Sequence, residues 1–218
     1  AQMGQLNGNP ISALLIWLLP LMISTYTLTV LVIYGMLGLS LGLVWGFGGI
    51  LCFGQAAFFG LGAYTYAIAA INIGESTLPM ILAVLVPAVF AALLGAMMFY
   101  GRLADVYLGV ITLVVTQYVI GNARLGGFNG IPGFQTLNVP GDPAAYIWGD
   151  PYFYVCAVAL VIVFLLVTWL LRSSFGRIAV GIRENEVRMG LMGYDVATRK
   201  TVLFAIGAAI AGLAGALF

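Results

Sequence analysis

The sequence predicts an all-α, polytopic transmembrane helical bundle with a short cytoplasmic helix, and three observations carry that prediction. The 218 residues are 63% hydrophobic and 7% charged, with a mean hydropathy of +1.12, whereas a soluble domain carries about 25% charged residues. Ile81–Phe99 and Val155–Leu171 are apolar on all sides. They lack the period-two alternation of barrel strands, and in hydrocarbon only helices and closed barrels satisfy the backbone. Finally, six of the eight basic side chains fall within residues 172–200.

The spans come in order along the chain. A helix crosses the bilayer in about 20 residues. Ile11–Phe47 is 37 residues, about 55 Å as one helix, which is too long. Ser24-Thr25 is the expected break, with Pro20 loosening the helix before it. This gives a first segment at 11–23 and a second at 26–47, closed by Gly48-Gly49. The third, at 53–71, is rich in small residues and ends in the turn Asn72–Ser76. The fourth covers 78–100. Arg102 and Asp105 mark a polar link to the fifth, at 106–122. Residues 123–150 read as a Gly/Pro/Asn loop, and the sixth segment is 151–171. The charged loop is next, and a seventh helix starts at 201. Residues 1–218 read as one transmembrane domain. The start, AQMGQLNGNP, lacks a basic leader and an initiator Met, and Thr201–Phe218 stops without a flanking loop. A piece of a longer protein, truncated at the C-terminus, is expected.

Loop charge sets orientation. With 172–200 in the cytoplasm, alternation puts Arg102 inside too. Seven Lys/Arg then lie inside and Arg124 alone outside. The Glu75 turn and the 123–150 loop fall outside.

The chain has no histidine, which removes the commonest general base and metal ligand. Cys52 and Cys156 lack a partner at metal spacing and read as small core residues. No catalytic set and no metal cluster is expected, so the chain reads as a non-enzyme without a cofactor of its own. Asp105 and Glu75 sit at membrane edges, not buried as a proton relay needs.

Four constellations remain. In the charged loop, Arg183–Tyr194 is expected to form a short helix along the membrane face. Val187, Leu191 and Tyr194 recur at helical spacing, and Gly190 and Gly193 end or bend it. A merely topogenic loop needs no apolar stripe, so the stripe favours docking. Gly38, Gly42 and Gly46 share one helix face, as do Ala208, Gly212 and Ala216. Such faces favour close helix packing, with a substrate path as the other reading. Gln55, among glycines in FGQAAFFGLGAY, either bonds a neighbouring helix or borders a solute path with Tyr64. Gly126–Gly133, GGFNGIPG, is a poor phosphate loop because no basic residue comes after it. It reads as a structured periplasmic turn.

Two stretches carry a family resemblance. LGLVWGFGGILCFGQAAFFGLGAYTYAIAA (Leu41–Ala70) resembles the early transmembrane signature of ABC-transporter permeases for branched-chain amino acids. SFGRIAVGIRENEVRMGLMGYDVATRKTVLFAIGAAIAGLAGALF (Ser174–Phe218) resembles their cytoplasmic loop and following helix, and Ala104–Leu113 and Gly126–Gly133 resemble their central region. The resemblance implies an inner-membrane importer subunit of a bacterium, translocating branched-chain or other small hydrophobic amino acids. It implies a second permease subunit, two cytoplasmic ATPase subunits and a periplasmic solute-binding protein as partners, with ATP on the ATPase and no nucleic acid. It also implies that Arg183, Glu184, Glu186, Val187, Gly190 and Gly193 form an ATPase-coupling element, Glu184 and Glu186 meeting basic groups there. Urea and short-amide permeases share nearly the same signatures, and Phe128 stands where the family usually has a small hydroxyl residue. A self-contained secondary carrier and a non-transporting scaffold are the rivals from other classes.

Overall fold

The computed structural model describes residues 25–73, 77–101, 107, 109–114, 137–139, 142–147 and 150–218. The expected first segment at 11–23, the Glu75 turn, Arg102 and Asp105, most of the fifth segment, and the stretch Asn122–Gly133 lie outside the described residues.

The fold is a helical bundle. Helix α1, Thr25–Leu41, runs directly into a π-helical turn, Gly42–Phe47. An extended link reaches α2, Gln55–Ile73, followed by α3, Thr77–Tyr100. Residues 109–114 are helical. Strands β1, Leu137–Val139, and β2, Asp142–Ile147, pair antiparallel, with Leu137 opposite Ile147 and an irregularity after Asn138. This hairpin stands within the segment expected to be loop. Helix α4, Asp150–Arg172, leads to the short helices α5, Ser174–Glu184, and α6, Glu186–Leu191, and then to α7, Val196–Ala216.

Among the described residues, four stretches are long and apolar enough to cross a membrane: Thr27–Phe47, Thr77–Tyr100, Pro151–Arg172 and Val196–Ala216. Their large side chains point outward, as a lipid solvent allows. On α3, Leu85, Val89, Leu93 and Met97 form an exposed stripe, each at least half exposed. The opposite stripe is small and buried: Ala83, Pro87, Ala91 and Gly95. Four-residue spacing puts each set on one face. Small residues inside let backbones approach, and dispersion between close-packed helices replaces a water-driven core.

Helix α7 is the centre. It packs most extensively on α3 and α2, and also meets α1, while α4 packs on α1. Where α7 crosses α3, a Cβ built on Gly212 would lie 2.5 Å from the Ala83 carbonyl oxygen and 2.7 Å from Pro87 Cγ. Pro87 has no N–H for that carbonyl, and Cα–H groups are weak donors to such oxygens. Gly212 therefore supplies contact to a backbone oxygen that the α3 ladder leaves open. Aromatic edges fill the rest. Phe204 of α7 meets Phe58 of α2 at 5.4 Å and Phe99 of α3 at 6.2 Å, both edge-on.

Candidate functional site

Residues 172–200 fold into two short helices and the first turn of α7. Ser173 has extended backbone and its hydroxyl accepts from the Gly176 amide, which caps α5. Asn185 ends α5 and starts α6. Its φ of −158° and ψ of 95° break the helical path. Its N–H donates to the Gly181 carbonyl at 3.0 Å, and its side-chain oxygen accepts from the Arg188 amide at 2.9 Å. Gly193, at φ +87°, ends α6. The Tyr194 amide reaches back to the Met189 carbonyl and the Gly193 amide to that of Gly190, at 3.3 and 3.0 Å. This is the Schellman arrangement, which favours glycine at the left-handed position. Asp195 then caps α7 by accepting from the Thr198 amide at 3.2 Å and from its hydroxyl. The Thr198 hydroxyl and amide together hold the Asp195 carboxyl below its usual range.

The single helix expected over Arg183–Tyr194 is thus two helices broken at Asn185, and the helix expected from 201 begins at Val196. Arg199 and Lys200 are helical, not loop.

The outward face of α6 is apolar. Val187 is 74% and Leu191 85% exposed, beside exposed Met192 and Tyr194. Gly190 adds no side chain, and no described atom lies within 4 Å of a Cβ built there. Glu184, 70% exposed, and Arg188 flank this face. Two charged neighbours point the other way. The Arg183 guanidinium donates to the Gly46 carbonyl, at the end of the π-helical turn. The Glu186 carboxylate accepts from Lys200 Nζ at 2.6 Å. That ammonium also lies 5.9 Å from the Phe99 ring centroid, and Arg199 stands 5.4 Å over Phe175.

Deeper in the bundle, Gln55 is buried. Its amide donates to the Ser40 hydroxyl and, at 3.3 Å, to the Gly207 carbonyl; Ser40 donates to the same carbonyl at 3.0 Å. The Cys52 thiol, 3.7 Å away, faces the Gln55 carbonyl oxygen. One polar knot thus joins α1, the link, α2 and α7. Gly207 makes room for it, because an added Cβ would collide with Val44 Cγ2. Tyr64 is half-buried further along α2.

The two small-residue faces differ. Ala208, Gly212 and Ala216 are buried. Gly38, Gly42 and Gly46 have no described atom within 4 Å of an added Cβ. With Leu41, Trp45, Gly49 and Arg183 they line a groove of about 610 Å³. Among the described residues, no three His, Cys, Asp or Glu side chains lie close enough to hold a metal ion.

The exposed stripe is legible in the sequence from its spacing. Ser40, Lys200 and Gly207 are not, since their roles depend on partners distant in the chain. The capping pattern Asp195-x-x-Thr198 was the available signal for the early start of α7.

Four long apolar helices around a knot of neutral polar groups define a multispanning membrane protein. Residues 23–218 match the family described as branched-chain amino acid transport system, permease component. The chain belongs to that family. It is 33% identical over 219 residues to the high-affinity branched-chain amino acid transport system permease protein LivM of Salmonella typhimurium, covering 87% of this chain and 51% of the relative. The Escherichia coli protein of the same description is 32% identical over 231 residues, covering 91% and 53%. The probable branched-chain amino acid transport permease protein LivM of Methanocaldococcus jannaschii is 28% identical over 222 residues, covering 85% and 64%. The chain thus spans about half the length of the two bacterial relatives. No solved structure matches significantly.

Proposed function

We propose that this chain is a membrane permease subunit of a bacterial inner-membrane importer, translocating branched-chain or other small hydrophobic amino acids. ATP is hydrolysed on a partner subunit. The observation that carries this reading is the α6 face. Val187 and Leu191 are among the most exposed large apolar residues, yet they sit on a helix capped at both ends. A water-facing apolar patch on an ordered element marks an interaction site. The basic residues of 172–200 favour the cytoplasmic side for it, where an ATPase is available.

Arg183, Glu184, Glu186, Val187, Gly190 and Gly193 make up the coupling element. A second permease completes the pore, and a periplasmic binding protein delivers the solute. The neutral knot at Gln55 suits a path for a zwitterionic or uncharged solute, because its members, Ser40, Cys52, Gln55 and the Gly207 carbonyl, carry no charge to trap or repel it.

The test is co-purification from the native membrane. A soluble ATPase should accompany the chain, and deleting 183–194 should release it while the permease stays inserted. Uptake into liposomes by this protein alone would support a secondary carrier and overturn the reading. A ligand screen on the partner binding protein decides between branched-chain amino acids and urea or short amides.

A further inference from the structure

Two of the charged residues beside the exposed face are already engaged inside the protein. Glu186 opens α6, and its carboxylate lies 2.6 Å from Lys200 Nζ on α7. The Lys200 side chain is only 12% exposed. A largely desolvated ammonium needs a counter-charge, and removing one partner of such a pair leaves the other stranded. Phe99 gives the ammonium a ring face as well. If Glu186 reached outward to another subunit, Lys200 would lose its partner.

Arg183 behaves alike at the other end of the break. Its guanidinium donates to the Gly46 carbonyl, 137 residues away in sequence. Its stem packs on Gly49, where a Cβ would lie 2.8 Å from Arg183 Cγ. Gly49 has φ +65°, so glycine is favoured there on both counts. Carbonyls at a helix end are unsatisfied acceptors that attract cations.

The two contacts bracket Asn185, the single extended residue between α5 and α6. We propose that Arg183–Gly46 and Glu186–Lys200 form a two-point mount that fixes the angle of α6 on the bundle. Arg183 and Glu186 are positioning residues; Glu184, Val187 and Leu191 make the outward contact. The consequence for coupling rests on the ATPase-docking reading above, but the mount itself does not.

The experiment separates the two. Amide hydrogen exchange over 186–194 is measured in the full-length permease in nanodiscs without ATPase, and uptake is measured in the assembled transporter. Variants are Glu186→Lys, Lys200→Glu, the double charge swap, and Glu186→Gln, which tests the pair with little steric change. Each single variant should speed exchange about 1.5- to fivefold, the range of opening a partly exposed ion pair. The swap should restore slow exchange and uptake together. Arg183→Ala should speed exchange over both 44–50 and 186–194, with Arg183→Lys recovering much of the protection. Unchanged exchange in the singles overturns the mount. So does a swap that stays as defective in uptake as Glu186→Lys while Lys200→Glu transports normally, since Glu186 then acts on the partner. Exchange that tracks the pair while uptake never changes supports the mount and removes the docking reading.

Discussion

Replacing Gly62 by alanine adds one methyl group where α2 meets α7. That Cβ would overlap the Gly212 carbonyl oxygen and lie 2.5 Å from Gly212 Cα. Both are backbone atoms, so no rotamer change relieves them. Ordinary contact begins near 3.4 Å, so the helices must part by about 1 Å, enough to forfeit much of the dispersion along the crossing. Gly212 cannot simply retreat, because Ala83 and Pro87 of α3 confine its other side. Overpacking of this kind costs about 1–3 kcal/mol. The gain from removing a helical glycine is about 0.5–1 kcal/mol, leaving a net loss of about 1 kcal/mol at the middle of these ranges and about 2.5 kcal/mol at most. Gly60→Ala is the internal control: the same helix, two residues away, with no described atom within 4 Å of the new Cβ. It should be neutral or stabilising by about 0.5–1 kcal/mol. Thermal inactivation half-lives at one temperature, in one detergent, compare the pair where unfolding is irreversible. Gly62→Ala should inactivate faster than wild type and Gly60→Ala no faster. Equal stability of the two variants would refute the close-crossing argument.

Three further outcomes are expected. Gln55→Leu removes the amide that joins Ser40 and Gly207 and should cost about 1–3 kcal/mol. A changed KM for uptake with unchanged stability would instead favour a solute-path role. Asp195 has a depressed pKa in the folded chain. Its capping contribution is therefore complete above the unfolded value, at neutral pH, and is lost only as pH falls through the folded value, below the ordinary carboxylate range. Exchange at the start of α7 should accelerate only under strong acid, and Asp195→Asn should abolish that acceleration. Cys52 and Cys156 are at most 3% exposed, so a water-soluble maleimide should label neither until the protein is unfolded.

The spans at 26–47, 78–100 and 151–171 were legible because the apolar runs and their punctuation are local, whereas the segment expected at 53–71, seen as α2, is not among the described stretches long and apolar enough to cross a membrane. The span expected at 26–47, ended by Gly48-Gly49, differs from the observed Thr25–Phe47 by one residue at its start. The π-helical turn inside it was not legible: Gly42–Phe47 has the composition of any apolar helix. Residues 183–194 read as one helix because Val187, Leu191 and Tyr194 share a period. Asn185-Glu186, a capping residue followed by an acid, signals a new helix start within it. Arg199 and Lys200 look like loop residues by charge. They lie on α7 because Lys200 pairs with Glu186 and Arg199 lies over a ring. Gln55 stands between two roles in the sequence because periodicity names a face but not the atom opposite. Its acceptor on Gly207 is 152 residues away.

The π-helical turn sets the phase of the whole span Thr27–Phe47. Its widened register holds one more residue than the α path would use. Were that turn to relax to α with all six residues kept, α1 would rotate by about 100° relative to the link and α2. Ser40 would swing away from the Gly207 carbonyl, and the Gly38–Gly42 face would leave the groove that ends at Arg183. A one-residue deletion within the turn would therefore leave every face in place, whereas the same deletion within Thr25–Leu41 would turn the wrong side of the preceding helix to every neighbour.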